Sequence, residues 1–356
     1  MSVTVAATAL AISACTPVNE RDLTDGGTDA ELSGSISGAG SSAQAAAMEA
    51  WRATFESTHP EATVTYDPVG SSGGREQFIT GAIQFGGSDA FLDDDEIVAA
   101  EQRCVDGEVI ELPAHLSPIA VAYNLDGVDG LRLSPDTLAR IFTQDIRSWD
   151  DPAIAADNPG TSLPALPITP VNRADGSGTT KNFTDYLAGA APGQWPHGAV
   201  DDWPVDGGTA GQGTSGVVAA IAQADGAIGY ADASQIGALP AAAVKVGEEF
   251  VMPSAEAAAR IIDASPRVPD RGRFDFALDL DRETTESGTY PIVLASYTMA
   301  CTSYDDPNQA QLVQAFLEFI VSEEGQLIAQ ENAGSAPISQ AFREDAMRAI
   351  DAIETQ

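Results

Sequence analysis

An arginine followed by a loop of glycine, serine and threonine is a candidate site for an oxyanion. The loop lies within residues 171–187, VNRADGSGTTKNFTDYL, and follows Arg173. Its glycines let the backbone turn so that successive N–H groups converge, and its hydroxyl groups are additional donors. The spacing of Phe183 and Leu187 predicts a helix that begins at the loop, where the partial positive charge of a helix N-terminus favours an anion. The alternative interpretation is an ordinary serine N-cap after a turn.

Two further turns of similar composition precede predicted helices. They are GAGSS at 38–42 and GSSGG at 70–74, and the third turn is DGSGTT at 175–180. Each places hydroxyl groups and free N–H groups at a helix start. One such turn is routine capping, but three of them, together with Arg173 and the strand-end Asp89, can surround a small tetrahedral anion with donors.

The turn at 70–74 also fits a serine hydrolase, because it matches the G-x-S-x-G pattern of a nucleophile elbow. Ser71 or Ser72 would then be the nucleophile and would need a histidine base from later in the chain. The chain has only three histidines, His59, His115 and His197. The first precedes the serines, and the other two are interpreted as structural or surface residues. Hydrolysis therefore stays an alternative without an evident base.

Nucleotide and metal motifs are absent from the sequence. The GSGTTK segment at 176–181 lacks the G-x-x-x-x-G-K-[ST] spacing of a phosphate-binding loop of nucleotide hydrolases. Histidines and cysteines do not cluster as zinc ligands do. The sequence therefore predicts no metal and no cofactor.

Length and charge limit the class of protein. A chain of 356 residues with 44% hydrophobic content can bury a large core and is expected to form two domains. Its 53 acidic and 17 basic residues give a formal charge of −36. Such a charge disfavours nucleic acid and anionic membrane surfaces as partners.

The N-terminus has the pattern of a lipoprotein signal peptide over residues 1–15. MSVTVAATALAISAC has an apolar run too short to span a bilayer, and it ends in ISAC, where Cys15 would carry the lipid. It departs from the usual pattern because no basic residue precedes Arg21 and because Ile12 stands where leucine is commoner. The alternative is an apolar tail with a chance cysteine. Residues 16–33 lack apolar periodicity and are predicted to be a flexible tether.

If Cys15 is lipidated, the rest of the chain lies outside the cytoplasmic membrane, where disulfides can form. Only Cys104 and Cys301 then remain to form one. The alternative is two unrelated buried thiols.

Strands and helices are predicted to alternate, which indicates an α/β fold with a mostly parallel sheet and ligand-binding loops at the carboxyl ends of its strands. Two predicted strands, at 116–125 and 290–300, are long and continuously apolar. They suit two crossings of the chain between two domains. Residues 309–334 are predicted to form a helical pair that packs back on the first half.

The three turns resemble the substrate-binding protein of bacterial phosphate ABC importers. The resemblance is carried by GAGSS, by VGSSGGREQFITGAIQFGGSDAFL at 69–92 and by NRADGSGTTKNFTDYL at 172–187. It extends to GQGTSGVVAAIAQADGAIGYAD at 211–232. The resemblance implies a two-lobed periplasmic-binding-protein fold of type II, in which two α/β domains joined by a two-strand hinge hold the ligand in their cleft. We expect lobe 1 to comprise 34–117 and 292–356, and lobe 2 to comprise 118–291.

The resemblance also implies the ligand set. The phosphate ligands would be Ser42, Ala43, Ser71, Asp89, Arg173, Ser177, Gly178 and Thr179. Asp175 would orient Arg173. Ser42 and Ala43 stand where the family usually has threonine and often phenylalanine, but a hydroxyl and an N–H survive both changes.

The expected function is that of a non-catalytic receptor, anchored by lipid to the outer face of the cell membrane. It would bind inorganic phosphate as a monomer and deliver it to the membrane permease of an ABC importer. One alternative is a receptor for another tetrahedral oxyanion, sulfate or molybdate. The other is a secreted phosphatase-like or serine hydrolase that uses Ser71 or Ser72.

Overall fold

The computed structural model describes residues 32–104 and 107–355. The predicted signal peptide, its Cys15 and nearly all of the predicted tether lie outside the described residues. Within the described residues, no helix has the length and apolar character needed to cross a membrane.

Strands and helices alternate from the start of the described chain, which confirms the predicted α/β pattern. The elements up to the first long strand are β1 (Gly34–Gly40), α1 (Ala45–Thr58), β2 (Ala62–Asp67), α2 (Ser71–Ile79), β3 (Phe85–Ser88), α3 (Asp94–Arg103) and β4 (Val109–Asn124). The middle elements are β5 (Arg132–Leu133), α4 (Pro135–Phe142), α5 (Pro152–Asp157), β6 (Thr169–Arg173), α6 (Gly178–Ala190), β7 (Thr209–Gly211), α7 (Gly213–Gln223), β8 (Ala227–Asp232), a single 3-10 turn (Ala233–Gln235), β9 (Ala243–Val246), β10 (Glu249–Val251) and α8 (Ala255–Ala264). The last elements are β11 (Val293–Cys301), β12 (Ser303–Tyr304), α9 (Pro307–Val321), α10 (Glu323–Ala333), α11 (Gln340–Ile350) and β13 (Glu354–Thr355).

Local sequence explains why the helices begin and face as they do. Met48, Trp51 and Phe55 lie on one face of α1 and are buried. Helix α3 begins with a capping box, in which Asp93 accepts from the N–H of Glu96 and the Glu96 side chain accepts from the N–H of Asp93.

One sheet of eight strands runs through the molecule in the order β2-β1-β3-β11-β4-β8-β6-β7. Strand β1 pairs in parallel with β2 and β3, and β6 pairs in parallel with β7 and β8. A long antiparallel strand flanks each of these two groups of three parallel strands: β11 pairs with β3, and β4 pairs with β8. The same arrangement therefore occurs twice, although the sequence has no repeat of fixed period.

The two long strands carry the chain between the two arrangements. Residues 109–118 of β4 pair with β11, and residues 119–124 pair with β8. Almost every residue of both strands is buried, which agrees with their largely apolar sequence, although β4 begins earlier than predicted and includes the buried Glu111 and His115. The predicted pair of crossing strands is confirmed.

Two large apolar clusters form the cores of the two lobes. The first lobe carries β1 to β3 and the cluster that includes Trp51 and Phe85, and the second carries β6 to β8 and the cluster that includes Trp149 and Phe183. Helices α9 and α10 pack with the first lobe, as predicted. The segment near residue 275 also contributes Phe274 and Phe276 to the first cluster. The lobe boundaries at 117/118 and 291/292 stay a prediction.

The disulfide between Cys104 and Cys301 is present and joins the end of α3 to the end of β11, with 5.3 Å between the Cα atoms. Both cysteines are buried in the first cluster. The predicted pairing is confirmed.

Candidate functional site

The predicted ligand residues follow the carboxyl ends of parallel strands in both lobes. In the first lobe, Ser42 follows β1, Ser71 follows β2 and Asp89 follows β3; in the second, Arg173 ends β6. All four are buried. Because the carboxyl ends of the parallel strands of both lobes meet at one cleft, the fold brings residues that are far apart in sequence to the same place.

Asp89 is the centre of this arrangement. Its Oδ1 accepts hydrogen bonds from the hydroxyls of Ser41 at 2.5 Å and Ser296 at 2.6 Å. Its Oδ2 accepts from the hydroxyl of Thr179 at 2.8 Å, across the cleft. The N–H of Asp89 donates to Oγ of Ser71 at 3.1 Å. Two predicted ligands, Ser71 and Thr179, are therefore each in direct contact with a third, Asp89.

Two glycines permit this close contact between the lobes. A Cβ on Gly178 would lie 2.8 Å from Oγ of Ser71 and 2.7 Å from the backbone N of Ala90. Gly70 has a φ of +99°, and its Cβ would lie 2.4 Å from Oδ2 of Asp175. A side chain at either position would push the two lobes apart.

Arg173 is held by a carboxylate of its own loop. Its Nε donates to Oδ1 of Asp175 at 2.8 Å, and its Nη2 donates to Oδ2. The same Oδ1 also accepts from the N–H of Gly213, at the start of α7, at 2.9 Å. Asp175 is thus placed to fix the direction of the Arg173 guanidinium, and its charge partly offsets that of the arginine.

Ser42 and Ala43 make contacts inside the protein. Oγ of Ser42 accepts from the N–H of Thr214 at 3.0 Å, which joins the start of α1 to the start of α7. The N–H of Ala43, a predicted phosphate donor, donates here to Oγ of Ser41 at 3.0 Å.

The glycine-serine-threonine loop after Arg173 leads into α6, and its Ser177 is the N-cap residue of that helix. Oγ of Ser177 accepts from the N–H of Thr180 at 3.2 Å, so the capping interpretation is correct as far as it goes. The hydroxyl proton of Ser177 remains available as a donor, because the cap uses only the oxygen. Behind the loop, the hydroxyl groups of Thr180 and Tyr230 lie 2.8 Å apart. Burial raises the pKa of Tyr230 to about 12, so it supports the loop as a neutral phenol.

Four residues that contact the predicted ligands are not in the predicted ligand set. They are Ser41, Thr214, Gln235 and Ser296, of which Gln235 donates to the backbone oxygens of Ser42 and Ala43. Thr214 had a signal, because GQGT at 211–214, where α7 begins, has the composition of the other three turns. Ser296 had none, because it lies inside a continuously apolar strand.

The histidine needed for a serine hydrolase is not at this site. Among the hydrogen bonds of residues 32–104 and 107–355, Oγ of Ser71 accepts from Asp89, and Oγ of Ser72 donates to Asp201 at 3.2 Å. His115 is buried in β4, with its Nε2 3.5 Å from Oδ2 of Asp232. The other two histidines pack against aromatic rings elsewhere.

Comparisons with known proteins agree with this architecture. A family model described as a PBP superfamily domain matches residues 26–324. The phosphate-binding protein PstS 3 of Mycobacterium tuberculosis is 36% identical over 364 residues, which cover 98% of this chain and 96% of that protein. The phosphate-binding protein PstS of Xylella fastidiosa is 32% identical over 343 residues, which cover 91% of this chain and 90% of that protein.

Solved structures share the fold at lower identity. A high affinity periplasmic phosphate-binding protein, PfluDING, solved bound with phosphate, has a TM-score of 0.72 at 21% identity and covers 87% of this chain and 92% of its own. The phosphate binding protein of Stenotrophomonas maltophilia has a TM-score of 0.68 at 17% identity and covers 89% of this chain and 94% of its own. This chain therefore has the two-lobed periplasmic-binding-protein fold and belongs to the PBP superfamily and, within it, to the family of the PstS phosphate-binding proteins.

Proposed function

We propose that this protein binds inorganic phosphate between its two lobes and delivers it to the membrane permease of an ABC importer. The observation that carries the proposal is the convergence of turns from both lobes on Asp89, with Arg173 fixed at the carboxyl end of β6 in the second lobe. The names of its relatives support the same ligand.

The proposed ligand set is Ser42, Ala43, Ser71, Asp89, Arg173, Ser177, Gly178 and Thr179. Hydroxyl and N–H groups would donate to the ligand's oxygens, and Arg173 would offset its charge. Some of these donors have partners inside the protein here: the N–H of Ala43 donates to Ser41, and the hydroxyl of Thr179 donates to Asp89. Binding therefore requires that the ligand replace these partners.

Asp89 would supply selectivity. Phosphate near neutral pH carries at least one proton, which a carboxylate can accept as a hydrogen bond, whereas sulfate carries none. A sulfate oxygen facing Asp89 would meet a like charge without a proton between them. This argument favours phosphate over sulfate as the ligand.

We further propose that the protein acts outside the cytoplasmic membrane as a monomer held by lipid on Cys15, and that it performs no catalysis. The sequence pattern that ends at Cys15 supports the anchor, and the Cys104–Cys301 disulfide is compatible with an oxidising compartment. Lipidation is tested by the mass of the N-terminal peptide of the protein expressed in its own host.

Isothermal titration calorimetry with phosphate, sulfate and molybdate tests the ligand. One phosphate is expected to bind per chain, at least about 10³-fold more tightly than sulfate or molybdate. Ser71→Ala is expected to weaken binding, because it removes a donor at the cleft, while Ser57→Ala, on the exposed face of α1, is the matched control and should bind as the wild type does. Preference for sulfate or molybdate would overturn the proposal.

A chromogenic phosphate ester assayed on the same samples tests catalysis. We expect no turnover above the buffer blank. Turnover that is lost in Ser71→Ala or Ser72→Ala but retained in Ser57→Ala would instead identify a hydrolase.

A further inference from the structure

A buried ion pair crosses the cleft beside the proposed ligand residues. It joins Arg75, in α2 of the first lobe, to Asp201, in the segment between α6 and β7 of the second. The side chains are 5% and 19% exposed. Nη2 of Arg75 donates to Oδ2 of Asp201, whose other oxygen is buried without a hydrogen-bond partner among the described residues.

The pair also contacts one proposed ligand and the chain neighbours of two others. Nη1 of Arg75 donates to Oγ of Ser88 at 3.1 Å, and Ser88 precedes Asp89. Oγ of Ser72, next to Ser71, donates to the Asp201 carboxylate at 3.2 Å. The backbone oxygen of Asp201 accepts from the N–H of Ser177 at 3.1 Å. The ion pair is thus linked to three turns of the site, two in one lobe and one in the other.

Burial makes this pair sensitive to whether the lobes are in contact. In the closed arrangement both groups are largely removed from water; Asp201 is stabilised by the charge of Arg75, and Arg75 by the charges of Asp201 and Glu96. If the lobes separate, both become hydrated and the attraction between them weakens steeply, because water screens it. The pair can therefore oppose opening without touching the ligand.

We propose that Arg75 and Asp201 are positioning residues that hold the lobes together around the ligand, and that they thereby set the rate at which the ligand leaves. The identity of that ligand, phosphate, rests on the function proposed above. Neither residue is among the proposed ligands, and neither was singled out by the sequence. Their effect is mainly on dissociation, because a bound ligand can leave only when the lobes separate and the pair breaks.

Glu96 offers a matched control within one lobe. Its Oε1 accepts from Nε of Arg75 at 2.8 Å, but Glu96 lies in α3 of the same lobe as Arg75. Glu96→Gln removes a negative charge that lies beside the same guanidinium. It keeps a side chain that can complete the capping box of α3. It leaves the contact across the cleft intact.

The experiment measures dissociation and association of radiolabelled phosphate by rapid chase and mixing in the wild type, Arg75→Met, Asp201→Asn, the double variant and Glu96→Gln. Each single change at the pair is expected to raise the dissociation rate about 10- to 100-fold, with less than about a threefold effect on association. The double variant is expected to be no faster than the faster single variant, because both changes remove one interaction. Glu96→Gln is expected to stay within about threefold of the wild type.

An Asp201→Asn variant whose dissociation rate equals that of Glu96→Gln would overturn the proposal, and so would additive effects in the double variant. Urea unfolding of each variant separates loss of the fold from loss of closure. If Arg75→Met fails to fold, Asp201→Asn, in a segment outside the helices and strands, provides the comparison.

If the wild type binds no phosphate, the proposed function fails instead. Small-angle scattering without ligand then still tests the pair, because Asp201→Asn should expand the protein relative to Glu96→Gln, and equal dimensions would refute closure by this pair.

Discussion

At the scale of single residues, a carboxylate has a specific use at a site proposed for an anion. Asp89 accepts hydroxyl hydrogen bonds from Ser41 and Ser296 that do not depend on contact between the lobes, so its direction is fixed before any ligand enters. A rigid acceptor distinguishes a protonated ligand oxygen from a bare one more sharply than a mobile acceptor does.

We therefore expect Asp89→Asn to narrow the preference for phosphate over sulfate by at least about 10²-fold, because asparagine can donate as well as accept. The change should act more on sulfate, whose affinity rises, than on phosphate. Calorimetric titration of both anions measures it, with Asp67→Asn, an exposed change at the end of β2, as the control. An unchanged preference would show that Asp89 is not the discriminating group.

Glu111 is a second buried carboxylate. It lies in β4 and is not one of the proposed ligands. Burial raises its pKa from 4.5 to about 8, and the charge of Asp275 adds to the shift, while bonds from Leu92 and Arg271 oppose it. Arg271 also binds Asp275 at 2.7 Å, so two carboxylates share one guanidinium.

This shift predicts a pH dependence of stability. The folded chain holds the proton of Glu111 more tightly than the unfolded chain does, so the free energy of unfolding should fall as the pH rises from about 4.5 to about 8. Glu111→Gln cannot ionise and should lose that fall, so its stability relative to the wild type should rise with pH by up to a few kcal/mol. Urea midpoints at pH 5 and pH 9 measure it. The exposed Glu101→Gln is the control, and a difference between wild type and Glu111→Gln that is the same at both pH values would contradict the prediction.

At the scale of elements, the alternation of strands and helices, the two long apolar strands and the glycine-serine turns before helices were predictable, because each depends on nearby residues. The contacts between elements were not. Ser296 reaches Asp89 only because β11 lies between β3 and β4, and Phe274 joins the first core from a segment that lies late in the chain. Likewise, the pairing of Arg75 with Asp201 depends on how the lobes meet, which no local pattern encodes.

The disulfide belongs to this scale, because it connects α3 to β11 across a sequence separation of 197 residues. Cys104→Ala/Cys301→Ala is expected to lower the free energy of unfolding by up to about 4–5 kcal/mol, since closing so long a loop removes much entropy from the unfolded chain. Urea unfolding with and without a reductant measures the loss. The double variant is its own control, because a reductant should destabilise only the wild type; a wild type indifferent to complete reduction would contradict the prediction.

At the scale of the whole molecule, the formal charge of −36 surrounds a site proposed for an anion. The field of so many carboxylates extends beyond the protein surface, whereas Arg173 and the helix starts act within the cleft. A phosphate ion therefore meets repulsion at a distance and attraction only near the end of its approach.

The rate of phosphate association should consequently rise, or at least not fall, as sodium chloride is added. At 0.15 M ionic strength the Debye length is about 8 Å, so salt screens the distant carboxylates more than it screens donors in contact with the ligand. Dissociation should change less, because it breaks short contacts in a buried site. Stopped-flow mixing at constant pH, between about 0.02 and 0.5 M ionic strength, measures both rates, and sucrose of matched viscosity controls for diffusion. A steep fall in the association rate with salt would mean that local attraction by Arg173 and the helix N-termini, rather than the repulsion of the whole molecule, governs the encounter.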